Sequence, residues 1–146
     1  MRIAFIGKIC SGKSYAAKYL QDNHNFEILS FGEPVKKYAT EIFNLKFKDR
    51  EIIQDFAQNI KKMDPDVWVN YLIRKLDTID DSKNIVIDDL RFHNEQCALR
   101  KLGFTFMYLY RWCLPTKTYK TDTSKHIERW CDISEQSIDS LDSDHY

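Results

Sequence analysis

Four short apolar runs alternate with amphipathic stretches along the chain. Ile3-Ala4-Phe5-Ile6 is continuous, as expected of a strand buried on both faces of a parallel sheet. The stretch from Lys13 to Asp22 places Ala16, Ala17 and Leu20 on one helical face. Phe26 to Phe31 reads as a second strand. A helix then opens at Glu33 or Pro34 and runs to about Phe43, since proline suits a first turn. Asp49 is placed to cap a helix carrying Ile52, Ile53, Phe56 and Ile60 at helical spacing. Asp64-Pro65 ends it and starts another, with Val69, Leu72, Ile73 and Leu76 on its buried face. Ile85-Val86-Ile87, β-branched and ending in Asp88-Asp89, is the third strand. A helix follows from His93 to Leu102 and stops at Gly103, and Phe104 to Tyr110 is the fourth strand. Residues 112–129 have weak periodicity and contain Pro115, so they read as a lid or loop. Strands alternating with helices predict an α/β fold with a parallel sheet, in one domain of 146 residues.

Between the first strand and the first helix lies Gly7-Lys8-Ile9-Cys10-Ser11-Gly12-Lys13-Ser14. It fits the phosphate-binding loop pattern G-x-x-x-x-G-K-[ST], in the strand–loop–helix setting that gives the pattern its mechanism. The loop's N–H groups and the helix N-terminus present a positive concavity to ATP phosphates. Lys13 is expected to reach the β- and γ-phosphates and the Ser14 hydroxyl to ligate Mg²⁺. The lysine is expected outside the core, so that Lys13→Ala spares the fold.

Net charge is zero, from 22 basic and 22 acidic residues, which gives no general attraction to nucleic acid or an anionic membrane. The distribution is uneven. Residues 111–129 hold Arg111, Lys117, Lys120, Lys125 and Arg129 against Asp122 and Glu128, whereas the tail from Asp132 has five acids and no Lys or Arg. That tail is expected to pack weakly beyond Ser134, with Ile138 and Leu141 its only large aliphatics. No apolar run is long enough to span a bilayer, and no signal peptide is evident. Cys10, Cys97, Cys113 and Cys131 form no C-x-x-C pair and, with His126, no trusted zinc spacing. The protein is read as intracellular with reduced thiols.

The second informative segment is Ile85-Val86-Ile87-Asp88-Asp89-Leu90-Arg91-Phe92-His93-Asn94-Glu95. An acid at the end of a buried strand can orient a metal-bound water or the loop serine, and an arginine two residues on suits phosphate through its planar fork. With both motifs the chain resembles the viral and phage deoxynucleoside monophosphate kinases, within the P-loop nucleoside monophosphate kinase-like group. Asp89-Leu90-Arg91-Phe92-His93-Asn94-Glu95 matches that family's Asp-Val-Arg-Phe-Pro-Asn-Glu, apart from Leu90 and His93. Phe31-Gly32-Glu33-Pro34-Val35-Lys36 and Asp64-Pro65-Asp66-Val67-Trp68 match two further segments in the same order. Asp88 is an added acid, the lid is rich in lysine rather than arginine, and the family pattern continues into a last strand and helix where this sequence stops.

The resemblance implies a three-layer P-loop NTPase fold with acceptor-binding helices over about 33–80 and a lid over about 112–129. It implies transfer of the ATP γ-phosphate to a (deoxy)nucleoside monophosphate with Mg²⁺. ATP binding falls to Gly7 through Ser14, with Lys8, Ile9, Cys10 and Ser11 in the loop and Lys13 catalytic. Arg91 is expected to hold the acceptor phosphate, the bland alternative being a surface ion pair with Glu95 at i,i+4. Phe31, Lys36, Trp68 and Asp89 are the other acceptor candidates. Phe31 and Trp68 are equally suited to core packing, and Lys36 to a solvated surface. Lys61 and Lys62 either reach the acceptor phosphate or mark a charged helix end. Ser14 and Asp88 are the metal candidates, and Arg111 is the candidate lid-base residue near the ATP phosphates. Partners are small nucleotides, with no nucleic acid and no membrane, and a homodimer left open. A kinase for another phosphorylated acceptor and a non-catalytic nucleotide-binding module are the competing expectations.

Overall fold

The computed structural model describes residues 1–45, 49–110 and 141. Within them the elements run β1 (Arg2–Ile6), α1 (Lys13–His24), β2 (Phe26–Leu29), α2 (Gly32–Phe43), α3 (Arg50–Met63), α4 (Val67–Leu76), β3 (Asn84–Ile87), α5 (His93–Lys101) and β4 (Thr105–Tyr108). The four strands form one parallel sheet in the order β2-β3-β1-β4. Ile3 lies opposite Val86 and Ala4 opposite Ile87, so β1 and β3 are neighbours, as the two motifs require.

Alternation within the apolar runs feeds two cores. Ile3, Phe5 and Val86 point to the face covered by α1, where they pack with Ala17 and Phe26. Ala4, Ile6, Ile85 and Ile87 point to the opposite face and pack with Val69, Leu72 and Leu76 of α4 and Leu99 of α5. Both faces of the central strands are therefore dry, which explains runs without polar alternation. From β1 the chain crosses toward the β2 edge, and from β3 it crosses toward β4. The C-terminal ends of β1 and β3 flank the switch point where open α/β sheets bind ligands.

Three local features depart from the sequence expectation. β2 stops at Leu29, because the Phe31 and Gly32 N–H groups are drawn to Asp89 and the chain turns into α2 there. Helix α3 is capped by Asp49 as expected, its Oδ1 accepting from Ile52 N at 3.1 Å, yet no residue of α3 is buried. The helix leans on α2 and α4 while its Ile53 and Ala57 front an open cavity rather than the sheet. Leu141 is the third departure. It is buried within the larger core, against the expected weak packing of the tail. The lid segment, with Arg111 and the other basic residues of 111–129, lies outside the described residues.

Leu141→Ala should therefore lower unfolding free energy by roughly 2–3 kcal/mol, the usual cost of emptying a buried leucine site. Urea denaturation measures it, and a loss below about 0.5 kcal/mol would mean the side chain is not in the core.

Candidate nucleotide and acceptor site

The phosphate loop leaves β1 at Gly7, where the backbone passes against the Leu109 carbonyl and the Ser11 side chain. A Cβ there would collide with the Leu109 oxygen, so glycine is required by close approach. Gly12 caps α1 in the left-handed region at φ 101°. Around these two residues the loop folds over Lys13. The lysine ammonium donates to the Gly7 and Lys8 carbonyls and lies 3.4 Å from the Ser11 hydroxyl. Lys13 is only 9% exposed, which corrects the expectation that it stands apart from the packed structure. Its charge is held at the centre of the loop by loop oxygens, and its removal loosens the loop as well as removing the charge.

Asp88 and Asp89 leave β3 in succession and serve opposite sides of the switch point. Asp88 Oδ2 accepts from the Ser14 hydroxyl at 2.8 Å, which ties the end of β3 to the first turn of α1. These are hard oxygen donors on exposed or half-exposed side chains. They fit Mg²⁺, which keeps several waters and takes few protein ligands alongside phosphates. Among the described residues no group of three or more His, Cys, Asp or Glu forms an all-protein metal cage. Asp89 turns the other way. Its Oδ1 accepts from Phe31 N at 2.9 Å and its Oδ2 from Gly32 N at 2.8 Å, so it holds the N-terminus of α2. Burial pushes the Asp89 carboxyl up, and the Gly32 and Phe31 N–H groups oppose that. Asp89 lines the cavity, but both of its oxygens are engaged in positioning α2; its geometry is that of a clamp before that of an acceptor ligand.

The rest of the second motif pins the remaining helices. Asn94 donates to Pro65 O at 3.2 Å and Asp66 Oδ1 at 2.8 Å, which anchors the start of α4. Glu95 Oε2 accepts from the backbone N–H groups of Arg91 and Phe92 at 3.0 and 3.1 Å. This caps α5 and fixes the segment that carries Arg91, a role beyond the i,i+4 pairing considered from sequence. Glu95 is 3% exposed. Burial raises its pKa from 4.5 to about 7, opposed by the Lys61 charge and the Arg91 N–H. Lys61 comes from α3, with Nζ 3.8 Å from Glu95 Oε1 and 3.4 Å from the centroid of the Phe92 ring. Burial lowers its pKa, and Glu95 partly restores it.

These groups enclose one cavity of about 910 Å³. Ile9, Cys10, Gly12, Lys13 and Ser14 of the phosphate loop line it, with Asp88. So do the cations Lys36, Arg50, Lys61 and Arg91 from outside the loop, with Phe31, Val35 and Trp68 in the wall. Gly7, Lys8 and Ser11 shape the loop from behind. Phe31 and Trp68 are each 5% exposed, so both are core residues that also reach the cavity. A base stacked on either one would need the wall to open. Trp68 packs on Phe56 at 6.1 Å, and among the described residues its buried Nε1 has no hydrogen-bond partner. Sequence reasoning gave Asn94 and Phe92 no role and Glu95 only a pairing with Arg91; the signal for them is the motif itself, whose members reach α3 and the start of α4.

A parallel sheet with a glycine loop opening α1 and an acid at the neighbouring strand end defines a P-loop nucleotide-binding protein. Residues 3–116 match the family model of the AAA domain, a P-loop NTPase-like family that includes kinases, and the chain belongs to that family. A search of curated proteins gives no match. P-loop NTPases generally bind nucleotide with Mg²⁺. Among the described residues no helix is long and apolar enough to cross a membrane.

The raised Glu95 pKa has a stability consequence with a definite sign. Between pH 4.5 and about 7 the folded chain holds a proton that the unfolded chain releases, so this group's contribution falls as pH rises through that window. Its full size is roughly 3 kcal/mol at about 1.4 kcal/mol per tenfold shift. Asp89, also raised, acts with the same sign. Thermal or urea unfolding from pH 5 to 8 should show Glu95→Gln gaining on the wild type as pH rises. Parallel curves would place the carboxylate in an ordinary solvated setting.

Proposed function

We propose that the protein is a kinase that moves the γ-phosphate of ATP to a (deoxy)nucleoside monophosphate. The observation that carries this reading is a single cavity lined both by the phosphate loop and by Lys36, Lys61 and Arg91 from outside it. A simple NTPase needs cations only where the triphosphate sits. Cations beyond the loop suit a second phosphorylated ligand brought up to the first. The apolar wall of Phe31, Val35 and Trp68 suits an acceptor with an aromatic base better than a purely polar sugar phosphate.

In this reading Lys13 and the loop N–H groups hold the β- and γ-phosphates, with the α1 N-terminus adding positive potential. Ser14, oriented through Asp88, would hold a Mg²⁺ ion, which would supply charge neutralisation to the ATP phosphates. Arg91 binds the acceptor phosphate with its planar fork, and Lys36, exposed at the cavity rim, adds charge. The acceptor's second phosphate pKa is about 6, so it arrives at neutral pH largely as the nucleophilic dianion and needs no strong base. The work of the site is alignment and the screening of repulsion between two anions. Asp89 contributes by fixing α2, and with it Lys36, relative to β3. Arg111 stays the candidate for the charge at the lid base.

An ADP-release assay across all dNMPs and NMPs tests the reading. Turnover with at least one of them supports it. Turnover confined to a different phosphorylated acceptor, or ATP binding without transfer to any, overturns it. With the acceptor so identified, Arg91→Ala should cut kcat/KM for the acceptor by about a hundredfold or more. Charge-assisted bonds contribute roughly 1.5–3 kcal/mol each, and Arg makes two. The KM for ATP should stay within about threefold; an equal loss on the ATP side would put Arg91 at the donor end.

A further inference from the structure

The two lysines at the end of α3 have different surroundings. Lys62 is exposed and donates to Asn59 Oδ1 at 3.0 Å on its own helix. Lys61 is turned inward. Its side chain is 18% exposed, its ammonium sits 3.4 Å over the Phe92 ring, and Glu95 Oε1 is 3.8 Å away. Glu95 joins this lysine to Arg91, because its other oxygen takes the Arg91 backbone N–H. One buried carboxylate therefore positions both the Arg91 segment and the Lys61 ammonium, and all three residues line the cavity.

We propose that Lys61 is a second ligand of the acceptor's phosphate, held beside Arg91 by the Phe92 ring and Glu95. The proposal rests on the reading of this part of the cavity as the acceptor side. The ammonium has exchanged part of its water for an aromatic face and one carboxylate at a long ion-pair distance. Neither satisfies its three donors. Burial also disfavours the charge on Glu95, so the carboxylate offsets the lysine charge incompletely. An anion entering the cavity meets a desolvated point charge that loses little further hydration on binding. Arginine supplies the planar fork, and lysine the compact charge that follows the phosphate as it moves. α3 exposes this residue to the ligand because none of the helix is committed to the core.

The test uses the full chain with the phosphate loop filled by a non-hydrolysable ATP analogue and Mg²⁺. Inorganic phosphate is then titrated, and binding is read from the rise in unfolding temperature and by calorimetry. Wild type should bind phosphate under these conditions. Lys61→Met should weaken it roughly tenfold, the loss of one charge-assisted bond, with affinity for the ATP analogue within about twofold. Lys61→Arg should restore most of the affinity, and Lys62→Met should behave as wild type. If Lys61→Met proves unfolded, Phe92→Leu reads the same effect more weakly by removing the ring beneath the ammonium. The proposal is overturned by no phosphate binding to wild type, by unchanged phosphate affinity in the Lys61 variant, or by an equal loss of ATP-analogue affinity. Because no turnover is measured, these outcomes are independent of whether a nucleoside monophosphate is the acceptor in the assay above.

Discussion

Two adjacent carboxylates at the end of β3 set the geometry of everything around them. Side chains alternate across a strand, so Asp88 and Asp89 emerge in opposite directions. Asp88 meets Ser14 at the start of α1, and Asp89 meets the N–H groups of Phe31 and Gly32 at the start of α2. Each carboxylate thus faces a helix N-terminus, where unpaired N–H groups and the helix dipole favour negative charge. The first helix carries the phosphate loop and the second carries Lys36. Both are held by two consecutive residues that directly follow one buried strand, whose Ile85, Val86 and Ile87 are at most 1% exposed. A rigid strand end is a good ruler for the proposed reaction, which would depend on aligning two phosphates.

The rest of the second motif extends the same device. Asn94 ties α5 to α4, and Glu95 ties the Arg91 segment to Lys61 of α3. Of the helices that wall the cavity, α4 packs Val69, Leu72 and Leu76 on the sheet, whereas α3 has no buried residue at all. Contacts of Lys61 with Glu95 and Phe92 help hold α3 instead. That arrangement leaves the cavity open to a ligand and makes its position depend on a few charged contacts. Burying Glu95 carries a penalty, seen in its raised pKa, and the return is an ordered backbone at Arg91.

Much of this was legible in the sequence, for identifiable reasons. The dry central strands announced themselves as unbroken apolar runs, and the phosphate loop as a motif in its proper strand–helix setting. Asp49 was recognisable as a cap from local chemistry alone. What was not legible came from contacts distant in sequence. Asp89 shortens β2 from nearly sixty residues away, which no local pattern encodes. Lys61 and Lys62 are neighbours of identical type, and only the packing of α3 against Phe92 and Glu95 separates them. Lys13 looked like a free charge because the loop carbonyls that enclose it leave no trace in residue types. Leu141 lay in an acidic tail whose composition gave no sign of its burial in the core.

The central claim is that one cavity accepts two phosphorylated ligands end to end. The most direct test is calorimetric titration with a bisubstrate analogue in which adenosine and a second nucleoside are joined by a polyphosphate chain. Joining the two ligands makes the second binding event intramolecular. The account predicts one analogue per chain, bound at least about a hundredfold more tightly than ATP and excluding both ATP and nucleoside monophosphate. An analogue that binds no more tightly than ATP, with monophosphate still binding alongside it, would contradict the account.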